Sequence, residues 1–244
     1  MECNQIIAAL KDMSSEKYKA NVVRLGIPEE SSIGTSTGDI RKLAKALRTS
    51  NKLAYELWNT SYHEAKLLAV LLFDKKSLTI EDIENLMEDV FSWDLCDHIC
   101  KNLIIKVKGY DLLINRWCDN EKTYFKRAAF TLMASVITHD KNVSDKILAS
   151  FLDIIKEQSN DDRDHVKKAV SWALRESGKK DFNYQEKAII LAYELKETGN
   201  KAQLWVAKDA LKELETLVQV KGRGRLISSE TKMGKEQLVV VLEK

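Results

Sequence analysis

The residues best suited to chemistry lie in the stretch Phe91-Ser92-Trp93-Asp94-Leu95-Cys96-Asp97. Trp93 and Asp97 are four apart, which puts them on one face of a helix, while Leu95 and Ile99 point elsewhere. An indole beside a carboxylate suits a cationic or electron-poor aromatic ligand. The ring stacks on it and the carboxylate complements its charge. The same pair also fits a packing tryptophan at a helix start with Asp97 as a surface acid, and the spacing leaves both readings open. Trp172, in Val170-Ser171-Trp172-Ala173-Leu174-Arg175-Glu176, is a second candidate. Val166, Ala169, Val170 and Ala173 already supply an apolar seam, which places Trp172 at its edge. Arg127 directly precedes a small, apolar run. An arginine there can reach a phosphate or pair with a carboxylate on a neighbouring helix.

Other chemistries find little support. The chain contains no G-x-x-x-x-G-K-[ST] loop, no G-x-G-x-x-G after a strand and no H-E-x-x-H, so no nucleotide cofactor or metal is expected. His63, His98, His139 and His165 are scattered and read as surface or capping residues. Trp58, Trp117 and Trp205 fit helix packing. Cys3, Cys96, Cys100 and Cys118 form no C-x-x-C pair and read as free thiols of a reducing cytosol. Cys96 and Cys100, four apart without a matching His or Cys pair, read as small buried apolar residues.

The elements that must carry these residues are helices. The 244 residues include one proline and 9 glycines, too few for the tight turns of an all-β fold. Ile80, Ile83, Leu86, Met87 and Val90 recur at helical spacing. So do Phe125, Ala128, Ala129, Leu132, Val136 and Ile137, then Val166 to Leu174, then Leu204, Ala207, Leu211, Leu214 and Val218. Ser61, Thr79 and Ser144 stand where N-caps belong. Gly34 to Gly38 reads as the main loop of the first third. The longest apolar run, Leu67–Phe73, is too short to span a bilayer, and the N-terminus lacks a signal-peptide pattern.

Segments opening near Tyr62, Trp93, Tyr124, Asp164 and Lys201 begin roughly 30 to 40 residues apart, each followed by another helical segment. That is the period of a helix-pair repeat of the HEAT kind. The expected fold is therefore all-α: a superhelical stack of antiparallel helix pairs, an α-solenoid, with a concave basic groove. One repeat domain is expected over residues 1–220. Lys221–Arg225 (KGRGR) is expected to break the last helix, and 221–244, without helical period, reads as a flexible or weakly docked extension. The net charge of +2 is mild, but its distribution is uneven. Arg41, Lys42, Lys45 and Arg48 form a run without an acid. Arg163, Lys167, Lys168, Arg175, Lys179 and Lys180 outnumber their acidic neighbours. Two basic faces suggest a one-sided field for an anionic partner; each also fits a solvated helix face.

With these residues in place, the chain resembles the AlkD-like family of bacterial DNA glycosylases, which are built of HEAT-like repeats. The matching stretches are Ile40–Ala44 (IRKLA), Glu56–Trp58 with Glu64, Ser92–Asp97 (SWDLCD), Lys126–Ala129 (KRAA) and Lys168–Glu176 (KAVSWALRE). They follow the family's order over roughly residues 1 to 215. The resemblance implies a monofunctional glycosylase of base excision repair that removes cationic N3- and N7-alkylated purines from double-stranded DNA without a dedicated base pocket. Asp97 would be the catalytic carboxylate, stabilising the oxocarbenium-like sugar and positioning water. Trp93 and Trp172 would hold the deoxyribose and backbone at the lesion. Arg127 would hold a phosphate, and Arg41, Lys45, Lys167, Lys168 and Arg175 would supply backbone affinity. Tyr18 stands near the place where the family contributes another aromatic residue. A monomer in the bacterial cytosol is implied, with no membrane partner. A catalytically inactive DNA-binding relative and a helical-repeat scaffold for another protein are the alternatives. The tail from Lys221 has no counterpart in the resemblance.

Overall fold

The structure is a computed structural model that describes residues 1–140 and 143–242, with side chains through residue 237. It is helical almost throughout and divides into two compact units, Met1–Asp111 and Leu112–Lys244. The first unit holds α1 (Cys3–Asp12), α2 (Glu16–Arg24), α3 (Thr37–Ala46), α4 (Asn51–Trp58), α5 (His63–Leu72), α6 (Ile80–Glu88) and α7 (Trp93–Asn102). The second opens on α8 (Asp111–Trp117) and continues with α9 (Thr123–His139), α10 (Asp145–Gln158), α11 (Asp164–Gly178), α12 (Phe182–Thr198) and α13 (Lys201–Leu214). Strands β1 (Leu217–Val218) and β2 (Ile227–Ser228) and helix α14 (Lys232–Leu242) complete it. Among the described residues no helix is long and apolar enough to cross a membrane.

Each unit is organised around one helix buried on all sides. In the first it is α5, whose Ala65, Leu67, Leu68, Ala69, Val70 and Leu72 are all core residues. A helix buried all round has no solvent face to keep, and α3, α4 and α7 pack about it. In the second it is α9, where every residue from Phe125 to Ile137 is buried and α11 packs alongside. Cys96 and Cys100 are fully buried, as are Trp58 and Trp117.

Start signals follow local chemistry. Thr79 and Asp82 form a reciprocal capping box on α6, and Ser144 caps α10 through the Ile147 N–H. Ser61 does not cap α5; the helix begins after Tyr62, which makes no side-chain cap. Gly38 lies inside α3, so the loop before that helix ends at Ser36, whose hydroxyl accepts from the Asp39 N–H. Gly34 carries a sharp bend of that loop, at φ +97°. A Cβ there would sit 2.8 Å from the Lys19 Cβ and 3.0 Å from the Ser15 carbonyl oxygen, so both conformation and space require glycine.

The C-terminal region departs from its expectation. α13 stops at Leu214, before the KGRGR stretch, and Val218 joins β1 rather than the helix. Leu217 pairs with Ser228 and Val218 with Ile227 in an antiparallel ladder. The following turn is docked: Leu226 is 1% exposed, its N–H donates to the Lys179 carbonyl at 2.9 Å, and Arg225 donates to the Glu176 carbonyl at 2.8 Å. Short strands leave no helical period to read, which is why the sequence pattern hides this order. The expected break His139–Asn142 runs into residues 141–142, which lie outside the described residues.

Buried charge ties the central helices to their neighbours. On α5, Glu64 is 1% exposed and its two carboxylate oxygens accept from the Ile33 N–H at 2.9 Å and the Gly34 N–H at 2.7 Å. Two charge-assisted bonds offset the desolvation of the anion. Replacing Glu64 with Ala leaves two buried N–H groups unpaired, at about 1–3 kcal/mol each. We expect a loss of about 2–5 kcal/mol for Glu64→Ala in urea unfolding, and a smaller loss for Glu64→Gln, which keeps one acceptor. An unchanged midpoint would contradict this.

Candidate functional site

The stretch carrying Trp93 and Asp97 opens α7. Ser92 is buried and its hydroxyl accepts from the Leu95 N–H at 3.2 Å, which fixes the first turn. Leu95, Cys96, His98, Ile99 and Cys100 face the core. Trp93, Asp94, Asp97 and Lys101 remain on the outward side, with Trp93 and Asp97 half-buried one turn apart. The Trp93 indole N–H donates to the Leu25 carbonyl at 3.0 Å. Leu25 closes α2, so the indole satisfies a carbonyl at the helix end and is itself held in place. An immobilised aromatic ring and a half-buried carboxylate on one stripe can embrace a cationic group.

Beneath this stripe lies a polar layer that sequence reasoning missed. His63 and His98 are 2% and 7% exposed, which corrects their reading as surface or capping residues. The His63 Nε2 meets Asp94 Oδ2 at 3.0 Å, and its ring packs edge-on against Phe91. Burial raises the Asp94 carboxyl, but the hydrogen bond and charge of His63, with the fields of His98 and Lys101, outweigh it and hold the group below its ordinary value. The His98 Nε2–H donates to the Leu67 carbonyl at 3.0 Å. Burial first, and then the Arg41 charge, push His98 down to about 4. The only sequence signal for this pair was helical: His63 and Asp94 are 31 residues apart, one repeat period.

The other residues of the first unit border the same elements. Tyr18 lies on α2, two turns before Leu25, and its hydroxyl is 3.3 Å from Thr37 Oγ1 at the start of α3. Arg41 and Lys45 are exposed on α3. Arg41 Nη1 reaches Asn102 Oδ1 at the far end of α7 at 3.5 Å. α2, α3 and α7 thus bring Tyr18, Arg41 and Trp93 into one neighbourhood.

In the second unit several residues are bound to their own protein. Arg127 is 7% exposed, and its Nη1 donates to the His165 carbonyl at 2.7 Å. This bond ties α9 to α11 through a backbone carbonyl. Arg175 is held by α13: Nη1 is 2.5 Å from Asp209 Oδ2 and Nε 3.1 Å from Glu213 Oε2. That pairing removes Arg175 from the free cations expected of it. Lys167 pairs with Asp164 at 2.5 Å and lies over the Trp205 ring, and Lys168 reaches Asp164 at 3.4 Å. Trp172 is half-buried on α11, two turns after His165, whose ring lies 5.8 Å from that of Tyr124. The aromatic face His165, Trp172 and Tyr124 was not visible as a group in the sequence. Among the described residues no group of three or more His, Cys, Asp or Glu side chains could hold a metal ion.

His98 gives this site a pH signature. Its folded pKa near 4 lies below the ordinary 6.5, so its contribution to stability is present above pH 6.5 and is lost as pH falls from 6.5 to 4. The full effect is about 3 kcal/mol. In His98→Gln, proton uptake on unfolding across that range should fall by about one. The same uptake in both proteins would contradict the assignment.

Comparison with known proteins agrees with this architecture. The family model described as DNA alkylation repair enzyme matches residues 6–214. One similar solved structure belongs to a group described as a new family of proteins related to the HEAT-like repeat DNA glycosylases with affinity for branched DNA structures. It shares 17% identity at a TM-score of 0.73 and covers 100% of this chain and 94% of its own. AlkD2 from Streptococcus mutans shares 19% identity at a TM-score of 0.58, covering 86% of this chain and 98% of its own. No curated protein matches the sequence. At these identities the two structures establish the fold, an all-α HEAT-like repeat architecture.

Proposed function

The chain belongs to the DNA alkylation repair enzyme family, and from that premise we propose that it is a monofunctional DNA glycosylase that hydrolyses the N-glycosidic bond of cationic N3- or N7-alkylated purines in duplex DNA. The observation that carries this reading is the outward stripe of α7, where Trp93 is locked by its bond to Leu25 and Asp97 stands one turn away.

Alkylation at N3 or N7 leaves the purine positively charged and its bond to the sugar already weakened. The remaining barrier is the positive charge that develops on the deoxyribose as the base departs. A fixed carboxylate lowers that barrier without any reorganisation at the moment of reaction, and it can orient a water toward the anomeric carbon. Asp97 takes that role. Trp93 presents its ring to the sugar beside it, and Trp172 serves the backbone near the lesion. Lys45 and Arg41, exposed on α3, supply sequence-independent attraction to phosphates. Only the chemistry of the lesion is selected, so no pocket for an extruded base is needed. Lys167, Lys168 and Arg127 are the further residues proposed to contact the backbone. The protein works as a monomer in the bacterial cytosol.

A second reading is a relative that binds DNA by backbone shape and releases no base. It is favoured by the likeness, over the whole chain, to the protein group described as having affinity for branched DNA structures.

Release of 7-methylguanine and 3-methyladenine from methylated duplex separates the two. Wild-type protein should release both, and Asp97→Asn should be slower by about 10²–10³, with an unchanged melting temperature. Duplex binding without release by wild type would leave only the second reading standing. Equal release by Asp97→Asn would remove the role given to Asp97.

A further inference from the structure

The cations around the end of α11 and the turn 221–225 fall into two sets. Those of α11 and its end are ion-paired within the protein: Lys167 and Lys168 share Asp164, Arg175 pairs with Asp209, and Lys179 with Glu176 and Glu213. Arg225 shares Glu176 at 2.8 Å. Lys180, Lys221 and Arg223 form the other set. No carboxylate pairs with them among the described residues, and the one polar contact of the Arg223 side chain is with Met233 Sδ at 3.4 Å.

These three cations gather at one place. The turn between β1 and β2 faces the end of α9 across a cleft of about 630 Å³, with Lys180, Arg223 and Thr138 on its walls. Among the described residues Asp140 is the single acid lining it, so the cleft keeps a net positive field. Lys221 flanks it and is exposed, as is Arg223. The turn is built rather than loose. Arg225 anchors its base on the carbonyls of Glu176 and Ile137. Gln219 Nε2 donates to the Arg223 carbonyl at 2.7 Å, and the Arg223 N–H to the Val220 carbonyl at 3.1 Å. Gly222 makes the bend at φ +82°, and a Cβ on Gly222 or Gly224 would meet nothing within 4 Å. The backbone between the two cations is therefore open to close approach by a ligand. An arginine fork, two lysines and bare backbone suit phosphate oxygens. The volume exceeds what one free ion needs and accommodates a length of sugar-phosphate chain.

We propose that the turn 221–225, together with Lys180, is a DNA backbone-binding site separate from the α7 stripe. This rests on the reading of the chain as a DNA-binding protein. The turn takes over, in the second unit, the part that Arg175 cannot play while it is held by Asp209.

Affinity for an unmodified duplex, measured by fluorescence anisotropy across about 50–200 mM salt, tests it. Lys221→Gln/Arg223→Gln should bind about tenfold or more weakly, and the slope of log affinity against log salt should fall by about 2. Lys180→Gln should lower it by about 1. Lys201→Gln/Lys208→Gln, which removes the same charge from the exposed side of α13, should lower it less. Melting temperatures should match wild type, because the altered side chains are exposed or partly so. A wild-type slope in the 221/223 variant, or an equal fall in the 201/208 variant, would overturn the site while leaving the DNA reading intact. Absence of duplex binding by wild type would remove both.

Discussion

The carboxylate of Glu64 is the contact on which the first unit depends. It sits in the first turn of the wholly buried α5 and accepts the N–H groups of Ile33 and Gly34. Those two donors lie in a bend with Gly34 at φ +97°, where neither a helix nor a ladder can pair them. An anion with two oxygens answers both, and the start of a helix favours its negative charge. The loop so held leads into α3, which carries Arg41 and Lys45. The beginning of α3 meets Tyr18 on α2, and the end of α2 receives the indole of Trp93. One buried anion thus fixes the loop from which the outward stripe of α7 takes its place.

The same device recurs along the chain. Lys66 donates to the Trp58 carbonyl, and Trp58 donates its indole N–H to Asp89. In the second unit Lys126 pairs with Asp161 at 3.1 Å. Burial raises Asp161, yet hydrogen bonds from Arg163 and Lys126 hold it at about 2. Several of these ties join residues one repeat apart: 31 for Trp58 with Asp89 and for His63 with Asp94, 38 for Arg127 with His165 and for Ser171 with Asp209. The repeat is weak in apolar pattern because its central helices are buried on every face. It is plainer in the polar contacts that lock each helix pair to the next. Buried partners of this kind also specify register, since a slipped helix would strand a charge.

This explains what could be read in advance. The helices carrying Trp93, Tyr124, Asp164 and Lys201 were legible because their apolar spacing and polar breaks are local. Thr79 and Ser144 were legible for the same reason. The side-by-side placement of Trp93 and Asp97 followed from helical spacing alone. The buried state of His63 and His98 did not, because it depends on α5 and α7 meeting across 31 residues. The fate of Arg175 was hidden too: whether a cation on a helix is open to a ligand depends on Asp209, one repeat later. The turn at Lys221–Arg225 looked like an unstructured end because two-residue strands leave no period. Its order comes from Leu226 and Arg225 docking beside Glu176 and Lys179.

In the proposed function the α7 stripe meets DNA at the damaged nucleotide. Photocrosslinking tests this directly. With p-benzoylphenylalanine in place of Trp93, the protein is bound to a duplex holding one tetrahydrofuran abasic analogue, irradiated, and the attached nucleotide is mapped. The expected result is a crosslink at the analogue or its immediate neighbour, lost when excess unlabelled duplex carrying the same analogue is added. Binding retained without a crosslink from position 93, or crosslinks scattered evenly along the duplex, would contradict the account.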